Sequence, residues 1–249
     1  DINAQKIQAR IYAGNGGYDD FYYTRMRELV TFALMECGGG DDTCFCVSMG
    51  TNRTDDYAIA LRFSPEGVVV GVEDESFAPY FDGMPQEDYT PAFVEENELK
   101  VTPPDLSDIE VRKALKKHPM WKEFDSRCIS CGSCTVACST CTCFTTRDVI
   151  YGDNPEVGER RRVSASCQIE GFDQMAGQRE LRSTPGARMR FKVLHKFYDD
   201  KARFKESHMC VGCGRCTNRC PEFISISATV NKMNAAVEEI KADMARKGV

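Results

Sequence analysis

Cys128-Ile-Ser-Cys131-Gly-Ser-Cys134-Thr-Val-Ala-Cys138 recurs further along the chain as Cys210-Val-Gly-Cys213-Gly-Arg-Cys216-Thr-Asn-Arg-Cys220-Pro221. Both runs have the form C-x2-C-x2-C-x3-C. Cysteines two or three residues apart are poor disulfide partners and good ligands for one metal centre. Thiolates select zinc, copper(I) or iron–sulfur clusters. A structural zinc site pairs two C-x2-C units across a gap and uses four ligands in all. Two complete four-cysteine runs point instead to two 4Fe–4S clusters.

The first three cysteines of such a run can curl round one cubane, with Gly132 and Gly214 relieving crowding where backbone meets cluster. In two-cluster ferredoxins the fourth cysteine ligates the other cluster. One cluster is therefore expected on Cys128, Cys131, Cys134 and Cys220. The other is expected on Cys210, Cys213, Cys216 and Cys138. Ser139 stands where such runs often carry proline, as Pro221 does, and removes no ligand.

The chain has 249 residues and 14 cysteines, and it is long enough to bury a core. It holds no run of 18 apolar residues, so no membrane-spanning helix is expected. Thiols kept for metal binding indicate a reducing, cytoplasmic setting. The chain begins at Asp1 with no signal-peptide pattern and reads as a fragment starting inside a longer protein. Net charge is −6, but residues 1–107 carry −13 and residues 108–249 carry +7. A basic half is one signature of nucleic-acid binding. Cations that compensate anionic clusters account for it here, so no nucleic-acid partner is expected. By the same argument, Arg160–Arg162 and the stretch Arg179–Lys192 are expected beside the clusters or at an interface with an acceptor.

The fold expected is α+β: an N-terminal mixed α/β domain followed by a helical two-cluster ferredoxin module. Residues 1–93 form the first domain. Within it Thr24–Cys37 reads as a helix end running into a buried strand, and Tyr57–Phe63 and Gly67–Glu73 as a hairpin about Ser-Pro-Glu-Gly. Residues 94–124 hold a linker and a short helix, within an acidic stretch from Asp74 to Asp105 that reads as linker or wrapping segment. The helix spans Ser107–His118, with Ser107 as N-cap, Glu110 completing a capping box and Pro119 stopping it. Residues 125–249 form the cluster module. Its 71 residues between Cys138 and Cys210 suit a helical ferredoxin with an insertion. Apolar residues at Ile226, Val230, Met233, Val237, Ile240 and Met244 give an amphipathic C-terminal helix.

Six cysteines remain. Cys37, Cys44 and Cys46 sit about a flexible Gly38-Gly39-Gly40-Asp41-Asp42 loop, and three cysteines in ten residues suggest either a metal site lacking one ligand or a reduced cluster of thiols. Cys141 and Cys143 read as packing near the cluster, and Cys167 as buried. Gly14-Asn15-Gly16-Gly17 does not match the dinucleotide fingerprint. No catalytic constellation surrounds His118, His195 or His208, so no catalytic residue is expected.

These motifs carry a resemblance. CFCVSMGTN at 44–52, HPMW at 118–121, DSRCISCGSC at 125–134, STCTCF at 139–144, GERRR at 158–162, SCQIEGFDQMAG at 166–177 and HMCVGCGRC at 208–216 resemble the iron–sulfur A subunit of anaerobic sulfite reductase. That subunit type is similar to the β subunit of cytoplasmic nickel–iron sulfhydrogenases. The unbroken CFCVSMGTN and the Ile224–Ala245 tail lean toward the sulfite reductase side. The resemblance implies a relay subunit of an oxidoreductase complex. A flavoprotein subunit would take electrons from NAD(P)H, and a sirohaem sulfite reductase subunit would reduce sulfite to sulfide. It also implies a third 4Fe–4S cluster on Cys37, Cys44 and Cys46, its fourth ligand a cysteine just upstream of Asp1. Where the family usually has Cys-Pro-Thr-Cys, this chain has Cys138-Ser139-Thr140-Cys141. The alternatives are the β subunit of a nickel–iron hydrogenase and a freestanding ferredoxin-like carrier.

Overall fold

The computed structural model describes residues 2–14 and 19–247. Of Gly14-Asn15-Gly16-Gly17 only Gly14 is among them, and Asp1 also lies outside them. The fold is α+β. The chain divides into two compact units. The first comprises residues 1–100 with Cys210–Cys213, and the second residues 101–209 with 214–249.

In the first unit, helices α1 (Asn3–Tyr12) and α2 (Phe21–Glu28) precede a three-stranded sheet. Ala4 and Ile7 of α1 are buried. Asp20 caps α2 by accepting from the Tyr23 amide at 2.9 Å. Strand β1 (Ala33–Met35) runs parallel to β2 (Ile59–Ser64), which pairs antiparallel with β3 (Gly67–Val72). The hairpin lies where the turn signal places it. The segment leading into β1 is not buried, with Leu29 81% and Met35 65% exposed. Strand β1 has only three residues and a partner on one side, so its apolar run is left at a sheet edge.

The acidic stretch after β3 wraps this unit. Glu36 anchors it: its carboxylate accepts from Arg62 Nε at 2.9 Å, Tyr89 OH at 3.0 Å and the Ala92 amide at 2.8 Å. The Arg62 hydrogen bond is the largest cause holding the Glu36 carboxyl below the usual carboxylate range. Tyr89 lies so close over Gly71 that a Cβ there would sit 2.6 Å from its ring.

The second unit opens with α3 (Ile109–Lys117), a 3-10 turn at Pro119–Lys122 and α4 (Glu123–Arg127). The N-cap of α3 is Asp108, not Ser107: its carboxylate accepts from the Glu110 amide at 2.7 Å. The Ser107 hydroxyl is instead committed to the Asp105 carboxylate at 3.0 Å. Helix α9 (Ile226–Lys247) packs on α3. Leu115, Phe124, Val230, Met233 and Val237 are fully buried, so the apolar stripe read from the sequence faces this core. Trp121 Nε1 donates to the Leu115 carbonyl at 2.7 Å and locks the 3-10 turn to α3. The insertion carries an antiparallel hairpin, β4 (Phe144–Ile150) with β5 (Gly158–Ser164), and a minor pair, β6 (Gln174–Met175) with β7 (Arg179–Glu180). Short helices α5 (Ser133–Val136) and α8 (Arg215–Asn218) pack together. Helix α6 (Pro185–Leu194) runs through a π-turn at His195–Asp199 into α7 (Asp200–Phe204). Among the described residues no helix is long and apolar enough to cross a membrane.

Candidate metal centres

In the second unit Cys128, Cys131, Cys134 and Cys220 line one cavity together with Cys216 and Lys192. The local chain explains how the sulfurs converge. Gly132 and Gly214, the N-caps of α5 and α8, have φ of 77° and 67°, in the left-handed region that favours glycine. Ser130 adopts φ 57° in the same region. A left-handed residue within a turn directs neighbouring backbone amides into a concavity suited to an anion. A Cβ on Gly132 would also come within 3.1 Å of Ser166. Burial pushes the Cys128 thiol up, and the sulfurs of Cys134, Cys131 and Cys220 add to the shift. Cys131, at the exposed rim, is pulled down by its hydrogen bond with the Ser133 hydroxyl at 3.3 Å. Among the described residues no three His, Cys, Asp or Glu side chains close on a single ion; these four sulfurs stand around a cavity.

Helix α6 brings cations to this cavity. Thr184 caps it, and Gly186 packs so closely that a Cβ would meet the Trp121 carbonyl oxygen at 2.3 Å. Arg188, Lys192 and Lys196 recur at i, i+4 and i+8, and all three are buried. Arg188 Nη2 donates to Ser130 Oγ at 2.9 Å, in the first cysteine loop. Lys192 is 5% exposed. Its ammonium faces the Cys134 thiol without a hydrogen bond of sound geometry. Burial lowers its pKa, but the charges of Cys134, Cys216 and Cys141 outweigh that and raise it. Lys196 Nζ donates to Thr140 Oγ1 at 2.8 Å, and Thr140 Oγ1 lies 3.3 Å from Cys138 Sγ. Among the described residues neither Arg188 nor Lys192 pairs with a carboxylate. Burying a cation without an anion is costly. Thiolate-ligated iron–sulfur clusters are the anions this donor set fits, and the residues present suit them.

Arg188 and Lys192 fall in the basic stretch expected beside the clusters, but neither Lys196 nor Thr140 is marked by any motif in the sequence. The signal was available: basic residues four apart, embedded among Met189, Val193, Leu194 and Phe197, mark a helix face that buries charge.

Two further thiol contacts lie here. Cys141 hydrogen-bonds the Cys138 sulfur, which is the main cause holding Cys138 well below the ordinary thiol range. Cys143 and Cys167 also hydrogen-bond through their side chains, and this brings the Cys167 thiol down to about 6. Cys167 is buried, as expected. Of the basic segments, Arg188 and Lys192 adjoin the cysteines, while Arg160, Arg161 and Arg162 lie on the exposed β5 strand. There Arg160 pairs with Asp148 at 2.6 Å and Arg162 stacks over Phe144 at 4.5 Å.

In the first unit, the Phe45 amide donates to the Gly212 carbonyl at 2.7 Å. The Thr51 hydroxyl donates to the Val211 carbonyl at 2.7 Å. A Cβ on Gly212 would lie 2.6 Å from the Phe45 carbonyl carbon. The Cys44-Phe45-Cys46 stretch therefore crosses directly over the Cys210–Cys213 loop. Cys44 Sγ lies 3.6 Å from the Cys213 carbonyl oxygen, and the Gly212 amide donates to Cys210 Sγ at 3.4 Å. The Asp41 amide donates to Cys44 Sγ at 3.3 Å, and Cys46 Sγ lies 3.5 Å from Asn97 Oδ1. Cys37 is exposed after β1, and among the described residues it shares no hydrogen bond with Cys44 or Cys46.

Repeated four-cysteine loops, left-handed turns that aim amides at the sulfurs, and buried cations beside the cysteines define a ferredoxin-type protein built for two clusters. Residues 127–224 match the family model described as a 4Fe-4S dicluster domain. Over 237 residues the chain is 30% identical to sulfhydrogenase 2 subunit beta of Pyrococcus furiosus, a match covering 90% of this chain and 68% of that protein. The chain belongs to the family of that β subunit. No solved structure matches.

Proposed function

We propose that this chain is the electron-relay subunit of a multi-subunit oxidoreductase. Cys128, Cys131, Cys134 and Cys220 would hold one 4Fe–4S cluster, and Cys210, Cys213, Cys216 and Cys138 a second. Cys37, Cys44 and Cys46 would hold a third with a ligand outside this sequence. When bound, such clusters supply one-electron exchange. The cavity shared by Cys128, Cys131, Cys134 and Cys220 is the observation that carries this reading, because it joins the last cysteine of the second run to the first three of the first.

The chain's own groups have defined tasks. The left-handed loops orient amides toward sulfur, Arg188 steadies the first loop through Ser130, and Lys196 holds Thr140 against Cys138. Buried cations and hydrogen bonds to sulfur raise a cluster's reduction potential by stabilising the extra negative charge. The crossing of Phe45 over Gly212 supports a third site beside the second cysteine loop.

Two acceptors fit. A sirohaem partner that reduces sulfite, fed by an NAD(P)H flavoprotein, is supported by the CFCVSMGTN stretch and the C-terminal tail. A nickel–iron partner is supported by the sulfhydrogenase relative. The test is to isolate the native complex and assay it with reduced nicotinamide. Sulfide from sulfite selects the first acceptor and hydrogen evolution the second. Either activity from the isolated chain would defeat the relay reading.

A further inference from the structure

Lys192 is flanked by one cysteine from each motif. Cys134 belongs to the first run and Cys216 to the second. Both line the same cavity as Lys192. The side chain is 5% exposed, has no carboxylate partner among the described residues, and makes no hydrogen bond of sound geometry. The two other buried cations of this helix face are engaged locally. Arg188 holds Ser130, beside Cys131, and Lys196 holds Thr140, beside Cys138. The middle position, Lys192, lines one cavity with a cysteine of each run.

We propose that Lys192 is the shared counter-charge of the two clusters: one buried ammonium that raises the reduction potential of both at once. The inference rests on the two-cluster reading above. A positive charge in a poorly solvated interior acts over several ångströms with little screening. Its field favours the reduced, more negative form of each neighbouring cluster. Cys134 and Cys216 are ligands to different clusters under the crossed assignment, so one substitution should move two potentials. Lys196 adjoins Cys138 and should move one. The arrangement keeps the two potentials in step, which suits a relay that passes electrons in either direction with little loss.

The test is an EPR-monitored potentiometric titration of the anaerobic holoprotein and of Lys192→Met, which is unbranched and one atom shorter and removes the charge. Iron and sulfide are measured on the same samples. Iron content reports on the cluster reading, and the potentials report on the shared charge. With iron retained, both midpoints should fall by at least about a tenfold shift in the reduction equilibrium, about 59 mV for one electron. Lys192→Arg should restore most of the shift, and Lys196→Met should lower one midpoint only. Unchanged midpoints, or a change confined to one cluster in Lys192→Met, overturn the proposal. If Lys192→Met does not retain iron, Lys196→Met protein labelled with 15N-lysine gives the answer. Once reduced, it must show weak lysine-nitrogen coupling to both cluster spins, and coupling to one or neither overturns the proposal.

Discussion

The Phe45 amide donates to the Gly212 carbonyl oxygen at 2.7 Å, and this bond fixes the Cys44-Phe45-Cys46 stretch against the Cys210–Cys213 loop. Gly212 has φ 66° and no room for a Cβ, which would meet Phe45 backbone at 2.6 Å. A left-handed non-glycine residue costs about 1–3 kcal/mol before any clash. Gly212→Ala is expected to destabilise the first unit by about 2 kcal/mol or more and to speed iron loss to a chelator. Wild-type melting and chelation rates would show that the crossing is not needed.

The proposed crossed ligation makes Cys220 the test residue. Cys220→Ser should damage the cluster held by Cys128, Cys131 and Cys134, and Cys138→Ser the cluster held by Cys210, Cys213 and Cys216. Iron analysis with EPR of each variant reads which signal is lost. Loss of the Cys210 cluster in Cys220→Ser would reverse the assignment.

The core beneath the cavity is held by α3 and α9. Leu115 is fully buried, and its carbonyl also accepts from Trp121. Leu115→Ala is expected to cost ~3 kcal/mol through lost burial and the cavity left behind. Urea unfolding of the holoprotein measures it, and a loss below 1 kcal/mol, on the order of a surface substitution, would contradict the packing described.

His195 gives a pH dependence. Burial first, then the charges of Lys196 and Arg182, hold its pKa down to about 4 against an ordinary 6.5. The unfolded chain therefore binds more protons between these values. The contribution is fully present above pH 6.5 and is lost as pH falls toward 4, by about 3 kcal/mol in total. The urea midpoint of the native protein should drop across that window more steeply than that of His195→Phe. Parallel curves would show that His195 titrates normally.

The parts legible in the sequence are those written locally. Cysteine spacing, the Ser-Pro-Glu-Gly hairpin and the three-four spacing of α9 each depend on neighbours within a few residues. What was not legible depends on distant partners. Ser107 and Asp108 are both good caps, and only the Asp105 carboxylate decides which is free. The strand β4, Phe144-Thr-Thr-Arg-Asp-Val-Ile, lacks apolar alternation because both its faces are mostly exposed. The burial of Lys192 and Lys196 needs α6 to meet the cysteine loops, which no stretch of sequence states. The assignment of Cys210–Cys213 to the first unit likewise arises from Phe45 and Thr51, far away in the chain.

Whether this chain carries electrons through cysteine-held clusters is decided by a reductive titration of the anaerobically purified protein. Iron and sulfide are counted and EPR is recorded at each electron added. The protein should hold at least two clusters of four irons and four sulfides, each taking one electron and returning it to an added one-electron acceptor. Zinc in place of iron, or iron that takes up no electrons, would contradict it.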